Sequence, residues 1–485
     1  MFENDEFTCD IDALGYKQQA DTLRELILLC QTPYAIGISG RWGSGKTSLM
    51  KYIMASLHGK PLTHRLQYQD KAIKNIEECQ KFLKVTESYD EIHHIVPIWF
   101  NPWEHENHDE PFIELLKEIH HFFSTTILLA ESKKIAHTTV RAGLDILGTF
   151  LKMGRNPASH AQQLGEQYEH QHFAYTHRSQ QFKLLFQEAV ETLLCGVTGA
   201  KKGTPLVDNA RLIIFIDDLD RCEDTVIGQL LKDIKQHLST KYCVFVFGYD
   251  RHHIEKALCQ NADRSPKESR AYLEKLFQST VYIKQPNAEK LKTYIQHQLA
   301  PDNSPIDFVG SKHRDGLAAF LSQILDPNPR RIKAFFTTFY LHVKTNTEFQ
   351  GKQDLSEQDL KRLALLAYLK LFYEPVYAAL ENDHTLLVAM LAMFRNASHA
   401  AIDSLPKCFV YLEMKSHLST TDDVPEDEQR ASILKDNDSE QKFLKEVNEM
   451  QGKHKSFYVF KQEFEICFHD MVETDNMTQN ICPYL

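Results

Sequence analysis

The stretch GISGRWGSGKTSLM, residues 37–50, joins an apolar run to a segment with helical periodicity. The run before it, YAIGISG, is typical of a short buried strand, and SLMKYIMASL after it carries apolar residues at helical spacing. The pattern G-x-x-x-x-G-K-[ST] is met here by Gly40, Gly45, Lys46 and Thr47. The glycines therefore connect a strand to a helix through a turn that can wrap backbone N–H groups around phosphates.

The chemistry of this turn predicts a nucleotide-binding loop. Glycine reaches the positive φ angles that such a turn needs, and the N-terminus of the following helix favours an anion. Lys46 is expected to reach the β and γ phosphates, and the Thr47 hydroxyl to ligate Mg²⁺. A chance match is the alternative, and the strand before and helix after disfavour it. The predicted nucleotide-binding set is Gly40, Trp42, Gly43, Ser44, Gly45, Lys46, Thr47 and Ser48.

Composition narrows the class of protein. The 485 residues suffice for about three domains. A net charge of −11 argues against a protein that mainly coats nucleic acid, although a local basic groove stays possible. The ten cysteines form no C-x-x-C pair and the N-terminus shows no signal peptide, which favours a cytoplasmic protein with reduced thiols. The longest apolar stretch, LLVAMLAMF, is shorter than the roughly 20 residues that cross a bilayer, so no transmembrane segment is predicted.

Five short apolar runs predict the fold class. They are YAIGIS, HIVPIWF, RLIIFID, KYCVFVFG and STVYIKQP. Continuous apolar strands separated by helical segments indicate an α/β fold, a P-loop NTPase core with a five-stranded, mostly parallel sheet. The predicted organisation is a first part of this core at 1–106, a helical insertion at 107–205, a second part of the core at 206–290, a helical lid at 291–345, and a helical C-terminal region at 346–485 with an acidic linker at 420–441.

The insertion carries apolar patches such as FFSTTILLA and LDILGTFLKMG. These could pack on each other, on a partner or on a membrane surface, and packing on each other is the default expectation. Residues 154–167 and 196–205 have the composition of loops.

An acidic pair closes the third apolar run, in RLIIFIDDLDRC. Asp217 is expected to hold the Mg²⁺ hydration shell beside Thr47, and Asp218 to orient or deprotonate the attacking water. Ordinary turn carboxylates are the alternative. The acid lies 171 residues after the lysine, which leaves room for the insertion.

Two arginines begin a predicted helix in DPNPRRIKAFF. Arg330 and Arg331 could reach a γ-phosphate from a lid, or could be ordinary solvent-exposed arginines. The sequence favours neither interpretation.

Several stretches together resemble the KAP P-loop NTPases, a bacterial and animal group related to the STAND branch of ATPases. The motifs that carry the resemblance, over roughly residues 10–340, are GRWGSGKTSLM, IWFNPWEHE, FIDDLDRC, VFGYDRHHIEKAL, YLEKLFQSTVYI and NPRRIKAFF. The resemblance implies that Leu14 and Gly15 lie near the adenine and that Glu104 positions water or metal. It also implies a supporting set of Trp99, Phe100, Asn101, Trp103 and Glu104.

Many relatives carry transmembrane helices between the two nucleotide motifs, and this sequence has no convincing ones there. For many soluble members, the resemblance implies bacterial defence against phage or plasmids together with partner proteins.

The resulting hypothesis is an ATPase switch in which ATP and Mg²⁺ bind between core and lid, and the insertion or tail signals to a partner. Arg221 or Arg251 could complete the site of a neighbouring subunit, which predicts a homo-oligomer. The alternative is a nucleotide-bound assembly scaffold with negligible hydrolysis. A small-molecule kinase is disfavoured because no compact acceptor pocket is evident, and no nuclease pattern is present. The preference for ATP over GTP and the trigger stay open.

Overall fold

A single five-stranded sheet organises the N-terminal part of the computed structural model. Its strands are β1 Tyr34–Ser39, β2 Ile95–Phe100, β3 Arg211–Ile216, β4 Cys243–Tyr249 and β5 Ser279–Tyr282. Their order in the sheet is β2-β3-β4-β1-β5, and every pairing is parallel. This confirms the predicted α/β fold, and all five apolar runs supply the expected strands.

The structure describes residues 15–57, 95–105, 111–129, 137–153, 178–198, 210–235, 240–262, 265–300, 308–346, 355–382, 384, 386–395, 457–472 and 484. The predicted loop at 154–167 and the acidic linker at 420–441 lie outside these residues. Two compact units divide the chain, one within Phe7–Gln285 and one within Pro286–Leu485. Each unit is described by itself.

Eight helices accompany the sheet in the described part of the first unit. They are α1 Lys17–Leu29, α2 Lys46–Leu57, α3 Pro111–Leu129, α4 His137–Met153, α5 Arg178–Thr198, α6 Asp224–Asp233, α7 Arg251–Ala262 and α8 Pro266–Leu276. Short 3₁₀ turns follow β2 at Pro102–His105 and β3 at Leu219–Arg221.

The position of each strand explains its sequence pattern. β3 and β4 are interior strands and are buried along their whole length, so they consist of continuous apolar runs. β5 pairs only with β1 and alternates between half-buried and exposed residues, as an edge strand does. Gln19 of α1 covers the end of this edge, because its Nε2 donates to Tyr282 O at 2.7 Å.

The described helices of the predicted insertion at 107–205 pack on the sheet as well as on each other. Leu115 of α3, Leu147 of α4 and Leu193 of α5 belong to the same buried cluster as Ile98 of β2 and Leu212 of β3. The default expectation is that the apolar patches pack on each other, and the sheet is a further neighbour that it does not include. The helices of the insertion extend the core of the sheet.

A helix also replaces part of the predicted loop at 196–205. Gly196 to Thr198 are the last residues of α5, and 199–205 lie outside the described residues. A Cβ at Gly196 would overlap Val140 of α4. The glycine thus permits close helix packing here and does not mark the start of a loop.

The second unit is helical in its described part. Its helices are α9 Ala288–Gln298, α10 Ser311–Ile324, α11 Pro329–Thr345, α12 Glu357–Phe372, α13 Glu374–Asn382, α14 Leu386–Arg395 and α15 Phe457–Val472. Asn328 caps α11 by accepting from the backbone N–H of Arg331 at 3.3 Å, with Pro329 in the first turn as expected for a helix start.

The C-terminal residues are tied to α12. Buried Arg362 donates to Cys467 O at 2.8 Å and to the hydroxyl of Tyr484 at 3.2 Å, and Tyr484 donates to Asp359 at 2.5 Å. In the described part of the chain, no individual helix has the length and apolarity to span a bilayer. Glu357–Phe372 and Glu374–Asn382 meet that test only together and bend by 120° at their junction.

Candidate nucleotide-binding site

The loop between β1 and α2 is a tight glycine turn. Gly43 and Gly45 have φ angles of 76° and 92°, which L side chains rarely adopt. A Cβ at Gly40 would lie 2.5 Å from the Ser44 Oγ, so a larger residue there would force the Ser44 side chain to move. The turn is closed by a hydrogen bond from Ser44 N to Arg41 O at 3.1 Å. The sequence thus specifies this shape locally.

Tyr16 packs against the loop from the start of α1. Its hydroxyl donates to Ser44 O at 3.1 Å, and a Cβ at Gly45 would lie 3.1 Å from its ring. Burial raises the pKa of Tyr16 to about 12, so the hydroxyl remains a donor at neutral pH. Sequence reasoning missed Tyr16. Its neighbour Gly15, expected near the adenine, has a φ of 74°, and Leu14 lies outside the described residues.

Parallel pairing brings the loop and the acidic segment to one edge of the sheet. The carboxyl ends of β1 and β3 share this edge, with β4 between them. Thr47 Oγ1 donates to Asp217 Oδ2 at 2.6 Å across 170 residues of sequence. Asp217 N donates to Phe100 O at 3.1 Å, which fixes the start of the acidic segment beside β2.

The Asp217 carboxylate is only partly hydrogen-bonded within the described residues. Its side chain is buried, and Oδ1 has no hydrogen-bond partner among the described residues. Burial and the neighbouring Asp218 charge raise the pKa of Asp217 to about 6, against the lowering effects of the hydrogen bonds from Thr47 and the Asp218 backbone and of the Lys46 charge. A carboxylate oxygen beside a hydroxyl is the kind of donor set that Mg²⁺ uses together with water and phosphate. The residues present therefore fit this ion.

Gly248 of β4 gives the carboxylate its space. A Cβ there would lie 2.7 Å from Asp217 Oδ1 and 2.6 Å from the Met50 sulfur. Gly248 could not be identified from the sequence, because a glycine inside an apolar strand gives no local indication of a long-range neighbour.

Lys46 is buried at the start of α2 and contacts a third carboxylate. Its Nζ donates to Gly40 O at 3.0 Å, to Arg41 O at 3.4 Å and to Asp220 Oδ2 at 3.5 Å. Asp220 was missed in the sequence, although it is the last acid of the DDLD run. The loop cluster is defined here as Lys46, Thr47, Asp217 and Asp220.

Asp218 faces a different partner. It has a left-handed conformation with a φ of 55°, and its Oδ1 lies 3.0 Å from Arg221 Nε. The Arg221 guanidinium in turn lies over the Trp103 ring at 5.5 Å. Asp218 is therefore held by an ion pair next to Asp217, and its assignment to the attacking water stays a prediction.

The stretch after β2 forms a local hydrogen-bonded chain. Trp99 Nε1 donates to Asn101 Oδ1 at 2.8 Å, and Asn101 Nδ2 donates to Glu104 Oε1 at 2.5 Å. Phe100 is buried, whereas Trp103 is 46% exposed. The chain orients the exposed Glu104 carboxylate, which is the residue expected to position water or metal.

The remaining candidate residues are placed as follows. Trp42 is 60% exposed on the loop, and Ser48 is half-buried in the first turn of α2. Arg330 and Arg331 begin α11 in the second unit, where Arg331 Nη1 pairs with Asp326 at 2.9 Å.

A second polar cluster lies where β4 and β5 end. Arg251 Nε donates to Glu255 Oε1 at 2.6 Å, and Arg270 Nε donates to Glu255 Oε2 at 3.1 Å. Arg251 also donates to the hydroxyl of Tyr282. The arginine cluster is defined here as Arg251, Glu255, Arg270 and Tyr282.

Comparison with known proteins identifies the family. The family model described as the KAP family P-loop domain matches residues 16–346, more than half of the chain. The chain belongs to the KAP family. A search of curated proteins found no match.

Among solved structures, 27 chains match this KAP protein. One is the Aeropyrum Pernix ORC2 protein in ADPNP-ADP complexes, with 12% identity, coverage of 98% of both chains and a TM-score of 0.34. Another is the ADP form of the same protein, with 12% identity, coverage of 90% of this chain and 88% of that chain, and a TM-score of 0.35.

Proposed function

We propose that this KAP family chain binds ATP with Mg²⁺ at its glycine loop and hydrolyses it as a conformational switch. The observation that carries the proposal is the contact between Thr47 and Asp217, which leaves Asp217 Oδ1 buried and without a partner in the described part of the chain. Unpartnered buried carboxylate oxygens are rare and costly, which supports the binding of a cation at this position. Family membership supports nucleotide binding in general.

Each residue of the loop cluster has a distinct task in this proposal. The backbone N–H groups of the loop and the start of α2 bind the phosphates, and Lys46 contacts their outer oxygens. Thr47 and Asp217 would hold Mg²⁺, which neutralises phosphate charge when bound. Asp218 orients or deprotonates the attacking water.

Glu104 is a second candidate for positioning water or metal. Its carboxylate is oriented by Asn101, which is itself bound to Trp99. The hydrogen-bonded chain supports this assignment, because an exposed carboxylate without such a partner would sample several rotamers.

An arginine is still needed to stabilise the charge that develops during phosphoryl transfer. Arg330 and Arg331 at the start of α11 are candidates from the lid. Arg221 and Arg251 lie after β3 and β4 at the carboxyl edge and could serve a neighbouring copy in a homo-oligomer. Partner proteins of a bacterial defence complex would receive the signal, as the KAP resemblance implies.

The first experiment measures ATP binding and hydrolysis by the purified full chain in magnesium buffer and in EDTA. We expect binding that Mg²⁺ strengthens, and hydrolysis only with Mg²⁺.

Specific activity measured across protein concentration then tests the oligomer: a rise supports an arginine supplied by a neighbour, and a flat profile contradicts it. GTP in place of ATP measures base preference, and addition of phage-derived components tests for a trigger.

The second candidate function is an assembly scaffold that binds nucleotide with negligible hydrolysis. The ion pair of Asp218 with Arg221 favours it, because this pair engages the carboxylate that would orient or deprotonate the attacking water. Asp218→Asn separates the two functions. Loss of turnover with ATP binding intact supports the switch, whereas a wild-type chain that binds ATP but shows no turnover above that of Asp218→Asn supports the scaffold.

A further inference from the structure

Lys46 has no donor left for a phosphate in this structure. Within the described residues its ammonium meets three acceptors: Gly40 O at 3.0 Å, Arg41 O at 3.4 Å and Asp220 Oδ2 at 3.5 Å. A lysine ammonium carries three N–H donors. At least one of these contacts must therefore break before Lys46 can donate to a phosphate oxygen.

The chemistry of the three acceptors singles out Asp220 as the one that a phosphate replaces. The two carbonyls belong to the loop that carries the lysine, whereas Asp220 lies 174 residues away in sequence. Asp220 is also an anion. Carboxylate and phosphate oxygens both form charge-assisted hydrogen bonds with an ammonium, so the two groups compete for the same cation.

Burial strengthens the attraction between Lys46 and Asp220, and therefore the competition with phosphate. The Lys46 and Asp220 side chains are only 7% and 5% exposed, so water and salt screen their attraction less than at the surface. Asp220 Oδ1 has no hydrogen-bond partner among the described residues. Release of Lys46 would therefore leave Asp220 as a buried carboxylate with its ammonium partner lost, which is unfavourable.

The turn after β3 explains why Asp220 contacts Lys46 while Asp218 does not. Asp218 has the left-handed conformation with its carboxylate at Arg221, and buried Leu219 anchors the 3₁₀ turn. The adjacent Asp220 then contacts Lys46. One turn thus supplies a carboxylate to each of two cations.

We propose that Asp220 holds Lys46 in the nucleotide-free protein and competes with the phosphates for it, so that Asp220 weakens nucleotide affinity and speeds nucleotide release. Asp220 is a positioning residue in this scheme, since it acts through the lysine. The inference rests on the proposed function, because it assumes that a nucleotide binds at the loop.

Nucleotide affinity gives the first test, with a fluorescent ATP analogue titrated into the full chain in EDTA and in Mg²⁺. Asp220→Asn keeps the shape and removes the charge, and Asp220→Ala is the second variant. Asp233→Asn is the matched control, because it removes one charge from α6, where Asp233 accepts from Gln229. We expect both Asp220 variants to bind roughly three- to tenfold tighter in both buffers, through slower dissociation, while the control binds as wild type.

Several results would overturn the inference. Equal or weaker binding by the folded Asp220 variants removes the competition. Binding weakened only in Mg²⁺ would make Asp220 a metal ligand. If neither variant shows a cooperative thermal transition, Asp220 is a structural residue.

A double-mutant cycle on the nucleotide-free protein tests the ion pair separately. Lys46→Met should lower the melting temperature by leaving Asp220 unpaired, and Asp220→Asn added to it should restore part of the loss. Additive effects would show that the pair is not coupled and would also overturn the inference. A wild-type chain that binds no nucleotide refutes the proposed function, and with it the competition, whereas a binding wild type with unchanged Asp220 variants refutes the inference alone.

Discussion

The loop cluster and the arginine cluster both lie where strands of the sheet end, yet they differ in how completely their carboxylates are paired. In the arginine cluster, both oxygens of Glu255 accept hydrogen bonds, one from Arg251 and one from Arg270. In the loop cluster, Asp217 and Asp220 each keep a buried oxygen without a partner among the described residues. The arginine cluster thus pairs both oxygens of its carboxylate with its own cations, whereas the loop cluster leaves two carboxylate oxygens unpaired among the described residues.

The carboxylate pKa shifts of the two clusters have opposite directions, in agreement with this difference in pairing. Burial, followed by the Asp218 charge, raises the pKa of Asp217 to about 6. Burial also acts to raise the pKa of Glu255, but the hydrogen bonds and charges of Arg251 and Arg270 outweigh it and hold that pKa below its usual value. The arginine cluster therefore stabilises the fold, whereas the loop cluster holds negative charge in a place suited to a bound cation.

The largest expected effect is on nucleotide affinity when the loop cluster loses the Lys46 ammonium. Lys46→Ala should weaken ATP binding by about a hundredfold, because charge-assisted hydrogen bonds to phosphate are lost. Equilibrium titration with a fluorescent ATP analogue measures this. The control is Lys235→Ala, which removes a lysine that lies over the Tyr272 ring. Retention of wild-type affinity in Lys46→Ala would contradict this distinction between the clusters, because the loop cluster would then have no part in binding.

The next effect concerns the magnesium dependence of binding. Asp217→Asn keeps the side-chain shape and an oxygen that accepts from Thr47, but removes the charge. Wild-type ATP affinity should be higher in Mg²⁺ than in EDTA, and the variant should lose about tenfold of that gain. Titrations in both buffers give the ratio directly. An unchanged ratio would mean that the buried unpartnered oxygen of Asp217 is not a metal ligand.

The parts of the candidate site that depend on local pattern could be proposed from the sequence. The glycine loop, Lys46 and Asp217 could be found because strand, turn and helix signals lie next to them in the chain. Tyr16, Asp220 and Gly248 could not, because their contacts with the site depend on the packing of distant segments.

The packing of the insertion was also not predictable from periodicity. An apolar helical face shows that a helix is buried, but does not show against what it packs. Leu115 and Leu193 share their buried cluster with strands β2 and β3, and nothing in their local spacing identifies that neighbour.

A smaller effect is expected on the free energy of unfolding when the arginine cluster loses its carboxylate. Glu255→Gln should lower the free energy of unfolding by about 1 to 2 kcal/mol, because two arginines lose a shared carboxylate but remain partly exposed to water. ATP affinity should stay within about twofold of wild type, because Glu255 belongs to a different cluster from the nucleotide-binding loop and separate sites usually act independently. Chemical denaturation and titration measure the two quantities. The control is Glu274→Gln on the exposed face of α8.

The smallest effect is the pH dependence of that stability difference. Because the folded pKa of Glu255 lies below its unfolded value, its contribution to stability is present above the unfolded pKa and is lost as pH falls through the folded pKa. The difference in unfolding free energy between wild type and Glu255→Gln should therefore shrink steadily on acidification below the ordinary glutamate range. Denaturation at a series of pH values measures this. A difference that stays constant or grows towards low pH would show that Glu255 contributes through its shape rather than its charge, and the arginine cluster would then no longer be an example of a carboxylate satisfied by its own cations.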